Sequence, residues 1–266
     1  MQWEELTAPE FAKAVRETGV CVIALGVIER HSDHLPLGTD YLVGHKVACL
    51  AAEKEPAVVF PAFYFGQIYE ARCFPGTITI EATLLLRLIQ GVLDEIGRNG
   101  FKKIVALNAH GGNNHLLGFL LQSSLWEEKP YCVYMPAEHL TPERQTAWEA
   151  LRETDYGGHA CEWETSAVLG THPDLVKMER VPEEPAKPLD RLAHLPPTYT
   201  SIWWYADYPN HYAGDARPAT LEKGQSLIQM EADTLAEYIA AVKADEVVPA
   251  LNAEFFHREK QLRERK

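Results

Sequence analysis

Short apolar runs alternate along this chain with longer stretches of helical periodicity. Val20 to Leu25 is apolar without alternation, as in a strand buried on both faces. Ala57 to Phe60, Lys103 to Leu107 and Tyr131 to Met135 repeat that signature and predict three further strands. Between and after them the pattern predicts helices over Asp40 to Lys54, Ile80 to Arg98, Asn113 to Glu127, Glu162 to Gly170 and Thr220 to Ala244. Near the start, Thr7 and Glu10 have capping-box spacing with Pro9 in the first turn, predicting a helix to about Glu17. Strands and helices in this alternation predict an α/β fold, a three-layer α/β/α sandwich around a mostly parallel sheet, as a single domain over 1–266. Residues 181–218 break the rhythm with prolines, tyrosines and Trp203-Trp204, and such long irregular stretches more commonly carry function than not. The tail from Phe255 to Lys266 reads as helical or frayed.

Composition narrows the function classes. A formal net charge of −13, with no basic stripe to offset it, argues against nucleic acid as a partner. No apolar run approaches the roughly 20 residues that span a bilayer, and the first residues lack a leader pattern. The expectation is a soluble, cytoplasmic protein without a membrane partner. The five cysteines form no C-x-x-C pair and read as reduced thiols, several of them buried.

Three histidine-and-carboxylate clusters fall where the chain leaves its predicted strands. Glu29 and His31 follow the first strand, and in extended backbone residues two apart point to one side. The turn-prone Leu35 to Thr39 can fold Asp40 back toward them, and a carboxylate can bridge two cations. His34 reads as a residue that holds its neighbours by a hydrogen bond. His110 lies just beyond the strand ending at Leu107, followed by Gly111 and Gly112, where open parallel sheets bind ligands. A phosphate cradle is the competing reading there, but no Lys or Thr follows in P-loop register. His115 falls inside a predicted helix and reads as structural. His159 and Glu162 are three apart at a predicted helix start and would share a face, whereas Glu164 points elsewhere on an ideal helix and suits a supporting or capping role. Each cluster alone also describes a polar loop or an acidic helix N-terminus. Together they supply oxygen and imidazole ligands for two divalent cations and imply metal-assisted hydrolysis.

The residues then match a known pattern. Gly26-Val27-Ile28-Glu29-Arg30-His31-Ser32-Asp33-His34-Leu35-Pro36-Leu37-Gly38-Thr39-Asp40 resembles the creatininase (creatinine amidohydrolase) family form G-x-x-E-Q-H-G-P-H-L-P-L-G-T-D. The likeness continues through Phe74-Pro75-Gly76-Thr77, Asn108 to Asn113, His159 to Ser166, Gly214-Asp215 and Ala219 to Gly224. The resemblance implies an α/β/α fold, two divalent metals (zinc, manganese or iron), a small cyclic substrate, and a homo-oligomer, commonly a hexamer. It also implies Glu29, His31, Asp40 and His110 as metal ligands, Asp40 as the bridge and His159 as the acid/base. Gly112 stands where some members carry a ligating glutamate, so the resemblance points to Glu162 as the fifth ligand.

Departures from the pattern bear on the substrate. Arg30, Ser32 and Asp33 replace the common Gln, Gly and Pro, and Glu70 to Cys73 stands where relatives usually carry a histidine. Arg30 and Arg72 are candidate anion or polyol contacts, with Glu164, His34 and Thr77 as further supporting or substrate-binding candidates. The expected reaction is hydrolysis of a cyclic amide by activated water. One alternative is ring-opening of a carbocyclic polyol ketone, an inosose-like diketone. The other is a non-catalytic protein whose metals only staple its loops, although structural zinc sites are usually richer in cysteine.

Overall fold

The computed structural model describes residues 1–264, so the last two residues of the expected C-terminal segment lie outside the described residues. The central sheet has four strands, β1 (Val20–Leu25), β2 (Val58–Val59), β3 (Lys103–Asn108) and β4 (Cys132–Tyr134). Their order is β2-β1-β3-β4, and every pairing is parallel. The strands fall where the apolar runs predicted them, although β2 and β4 are shorter.

Helices α1 (Ala8–Thr18), α2 (Thr39–Lys54), α3 (Ala82–Arg98), α4 (Asn113–Ser123), α5 (Pro142–Leu151), α6 (Glu162–Thr171), α7 (Trp203–Asp207), α8 (Leu221–Ala244) and α9 (Val247–Glu264) follow in chain order. A parallel strand pair needs a crossover connection, and these helices supply it. The two faces of β1 separate the core. Val20, Val22 and Ala24 pack with Val47 and Ala51 of α2 and Leu227 and Ile239 of α8. Cys21, Ile23 and Leu25 pack with Ala14 of α1, Leu85 and Ile89 of α3 and Leu117 of α4. Burial on both faces explains why β1 lacks polar alternation.

Sequence periodicity did not indicate α5, although Thr141 accepts a hydrogen bond from the Arg144 amide and Pro142 opens the helix. Nor did it indicate the small antiparallel pair β5 (Gly157–His159) and β6 (Ala213–Gly214). Pairs of two or three residues with glycine carry no periodicity. β6 and α7 give order to the 181–218 stretch and bring it back against the sheet ends. All five cysteines are free thiols, with Cys21, Cys132 and Cys161 buried.

Helices α6 and α8 meet across Gly170 and Gly224. A Cβ on Gly224 would lie 1.9 Å from the Ser166 carbonyl oxygen, and one on Gly170 would lie 2.4 Å from the Gly224 carbonyl carbon. Because both obstacles are backbone, rotamer changes cannot relieve them. Gly224→Ala is expected to destabilise the fold by about 2–3 kcal/mol or more, read as a lower denaturation midpoint at unchanged m-value.

Helix α8 also buries Glu231, whose carboxyl receives no hydrogen bond or ion pair among the described residues. Burial pushes its pKa from 4.5 up to about 8. The folded protein therefore keeps a proton that the unfolded chain releases near 4.5, and stability tied to this group declines as pH rises from there toward 8. The slope is at most about 1.4 kcal/mol per pH unit. Glu231→Gln should match the parent in melting temperature near pH 4.5 and exceed it increasingly toward pH 8.

Candidate metal centre

The site lies beyond the carboxyl ends of β1 and β3. After β1, the Gly26 amide donates to the Phe63 carbonyl and the Glu29 amide to the Leu37 carbonyl. These bonds fold residues 29–37 into a loop that delivers Asp40 in the first turn of α2. After β3, the Ala109 amide donates to the Leu25 carbonyl, and the buried Asn113 side chain ties Leu25 to Gln67. Gly112 leaves room for His110, since a Cβ there would lie 2.4 Å from His110 Nε2.

Hydrogen bonds to carbonyls assign the imidazole tautomers. His110 Nε2 lies 3.0 Å from the Gln67 carbonyl oxygen and donates to it, leaving a lone pair on Nδ1. That Nδ1 is 3.0 Å from Glu29 Oε1 and 3.0 Å from Asp40 Oδ2. Neither carboxylate oxygen receives a hydrogen bond. Three buried lone-pair donors thus face one point. His31 is arranged the same way: Nδ1 donates to the Glu29 carbonyl at 3.3 Å, and Nε2 faces Asp40 Oδ1 at 3.0 Å and Glu164 Oε2 at 3.9 Å. Asp40 therefore sets one oxygen in each of two groups, Glu29-Asp40-His110 and His31-Asp40-Glu164. Buried acceptors aimed at each other without donors fit a divalent cation in each group, and the mixed oxygen and nitrogen set suits zinc or manganese.

Charge balance within the site agrees. Burial alone would depress the His31 pKa, but Asp40 overrides it and raises it to about 10. Glu29 and Asp40 likewise hold His110 well above its ordinary value, and the histidines hold both carboxyls low against the effect of burial. Burial pushes Glu164 up to about 7. The cluster draws positive charge to these contacts, as protons or as metal cations.

His159 ends β5 and stacks on His31, ring centroids 4.2 Å apart. Its Nε2 donates to the Arg30 carbonyl at 2.8 Å, and its Nδ1 stands 3.9 Å from Glu164 Oε2. Burial, with His31 beside it, lowers its pKa to about 3, so it is held neutral. A further grouping of Glu29, His31 and His159 shares residues with the other two.

Glu162 does not join this cluster. Its carboxylate accepts from Lys223 Nζ at 2.6 Å, from Thr154 Oγ1 at 2.8 Å and from the amides of Glu153 and Thr154. Glu164 brings the carboxylate instead, and it also accepts from the Ala160 amide. The expectation failed because His159 is in a strand, not on the helix. Ala160 in the left-handed region (φ 53°) and an extended Cys161 turn the chain before α6 begins, so helical spacing from His159 does not apply.

The other candidates are distributed as follows. His34 Nε2 pairs with Thr165 Oγ1 at 2.9 Å, behind the cluster. Arg30 turns its guanidinium onto Asp33 at 3.0 Å and over the Phe74 ring, so its carbonyl and not its charge serves the site. Arg72 is exposed, and neither Arg72 nor Thr77 is among the residues lining the site cavity. His115, expected to be structural, is exposed on the cavity wall, its ring 5.9 Å from Tyr199.

Sequence reasoning missed His211. Its Nε2 donates to Glu29 Oε2 at 2.6 Å, and its Nδ1 accepts from the Trp204 indole at 3.2 Å. It is 2% exposed and left-handed in backbone (φ 54°), with its carbonyl accepting from the Ser32 amide. No strand end or helix face marked it, and the adjacent Gly214-Asp215 match was the only available signal. A cavity of about 480 Å3 opens onto Glu29, His110, His159, Glu164 and His211, rimmed by Tyr69, Tyr199, Trp203 and Trp204.

The family profile of creatininase, creatinine amidohydrolase, matches residues 4–239. The chain belongs to the creatininase family. It is 26% identical to the creatinine amidohydrolase of Pseudomonas putida, over 91% of this chain and 94% of the relative. It is 30% identical to the mycofactocin precursor peptide peptidase of Mycolicibacterium smegmatis, over 77% of this chain and 78% of the relative. The crystal structure of creatinine amidohydrolase superposes with a TM-score of 0.74 at 22% identity, over 90% of this chain and 96% of that one, showing the shared fold. Solved creatininases of this fold include a Zn-Zn type and a Mn form. The chain is thus a member of a hydrolase family, with residue groups suited to metal ions. Among the described residues, no helix is long and apolar enough to cross a membrane.

Glu162 and Lys223 form a buried pair, 1% and 11% exposed in their side chains. Glu162→Ala leaves Lys223 with Glu153 and the Pro218 carbonyl but removes the acceptor for the Glu153 and Thr154 amides, and it is expected to cost about 1–3 kcal/mol of unfolding free energy. Glu164→Ala, which removes one such amide acceptor, at Ala160, should cost less in the same chemical denaturation assay.

Proposed function

We propose that this creatininase-family chain is a dinuclear metal-dependent amidohydrolase that cleaves a C–N bond of a small cyclic amide. The observation that carries the reading is Asp40, whose two oxygens each share a group with one imidazole nitrogen and one further carboxylate. Glu29, Asp40 and His110 would hold one cation, and His31, Asp40 and Glu164 the other. Bound divalent cations supply Lewis-acid polarisation of a carbonyl and lower the pKa of water toward neutrality.

The chain's own residues supply the rest. His159, neutral and with Nδ1 free of hydrogen bonds, takes a proton from the attacking water and passes it to the departing nitrogen. The Arg30 carbonyl fixes its tautomer and ring orientation. His211 anchors Glu29 Oε2 so that Oε1 stays turned toward His110. Trp203, Trp204 and Tyr199 border the cavity and bring apolar surface to a bound substrate.

A linear peptide amide is the second reading. The wide cavity with half-exposed Trp203 and exposed Tyr199 at its rim favours it, as does the likeness to a relative named a precursor peptide peptidase.

Metal analysis combined with turnover of lactams, creatinine and short peptides tests the proposal. Chelation with confirmed metal loss should abolish hydrolysis, and zinc or manganese should restore it. His159→Ala should lower kcat by about 10²–10⁴-fold with metal content unchanged. Glu164→Gln should lose roughly one of two metal equivalents, whereas Glu162→Gln should keep both. Undiminished hydrolysis by the metal-stripped protein would overturn the reading, and metal retention without turnover of any amide would favour a non-catalytic role.

A further inference from the structure

A second cavity, of about 340 Å3, shares His110 and Glu164 with the first and is also lined by Asp40 and Glu231. A neighbouring space of about 190 Å3 meets Glu231 as well. The wall includes Val43, Val47, Leu107, Met135, Trp163 and Ala167, and His139, whose imidazole burial holds toward its neutral form, lines both spaces. Among the described residues, no lysine or arginine lines either space.

Glu231 is 5% exposed, and its carboxyl has no hydrogen-bond or ion-pair partner among the described residues. Two other acidic residues of α8 are matched. Asp233 pairs with Lys54 at 2.7 Å, and Glu237 pairs with Arg144 at 2.5 Å. A buried carboxyl without donors is costly unless something pairs with it. Burial accordingly suppresses its ionisation. A ligand that restores the lost interactions brings a positive hydrogen-bond donor on an apolar stem, since much of the lining near Glu231 is apolar and burial disfavours the charged form of the one histidine that lines both spaces, His139.

We propose that this cavity is a specificity pocket for an organic cation, taking an alkylammonium or alkylguanidinium arm of the substrate with its head at Glu231 and its stem along Val47, Leu107 and Trp163. The substrate class that follows is an amide bearing a cationic side arm. This rests on the proposed hydrolytic site, because Asp40, His110 and Glu164 belong to both.

Calorimetric or NMR titration of the metal-loaded protein with n-butylammonium and n-butylguanidinium, against neutral n-pentanol, tests binding apart from turnover. The expected result is saturable binding of at least one cation and about tenfold or weaker binding of the alcohol. Glu231→Gln, shown folded by circular dichroism, should weaken the cation by about tenfold or more. Asp233→Asn, at the Lys54 pair outside both spaces, should leave it unchanged. Equal affinity for cation and alcohol, no saturable cation binding, or indifference to Glu231→Gln would each overturn the proposal. Glu231-dependent cation binding by a protein that hydrolyses no amide would sink the hydrolytic reading and spare the pocket. Metal-dependent hydrolysis with equal kcat/KM for amides with and without a cationic arm would do the reverse.

Discussion

Asp40 sets one carboxylate oxygen against His110 and the other against His31, and the surrounding structure serves to hold those two contacts in place. Each contact brings together buried lone pairs that repel or stay unsatisfied unless positive charge lies between them. The fold imposes this arrangement. β1 and β3 are adjacent parallel strands, so the loops leaving their carboxyl ends emerge side by side. The first turn of α2 then fixes Asp40 between them, and carbonyls of Glu29 and Gln67 take the imidazole protons, leaving the other ring nitrogens facing the carboxylates.

The irregular 181–218 stretch is joined to this centre by a short relay. The Trp204 indole holds His211, and His211 holds the second oxygen of Glu29. β6 pairs with β5, so the segment that carries His211 is also registered against the strand that ends in His159. The irregular segment is thereby part of the cluster's support. Trp203 and Tyr199 extend the same segment over the cavity.

Charge is distributed with a clear division of labour. At the first turn of α6, Glu162 faces Lys223 and secures the helix against α8, while Glu164, two residues on, faces the cluster. Close packing of Gly170 and Gly224 keeps these two helices in register. Glu231, further along α8, is a buried acidic group without a counterpart among the described residues, and it lines a cavity shared with the cluster.

The layered α/β/α fold was legible in the sequence because burial on both faces makes continuous apolar runs, and the intervening helices have room to show their period. Glu29, His31, Asp40 and His110 were legible for the same reason, since they follow strands or open a helix and their direction is set by local geometry. Tertiary structure alone set Glu164, and not Glu162, against the cluster, because the left-handed Ala160 and the extended Cys161 turn the chain before α6 in a way no spacing rule contains. His211 was likewise invisible: it reaches Glu29 across 182 positions of chain, and only the pairing of two very short strands brings them together. Local patterning fixes what each segment is, whereas which side chains share a buried space depends on long-range packing that a single sequence does not display.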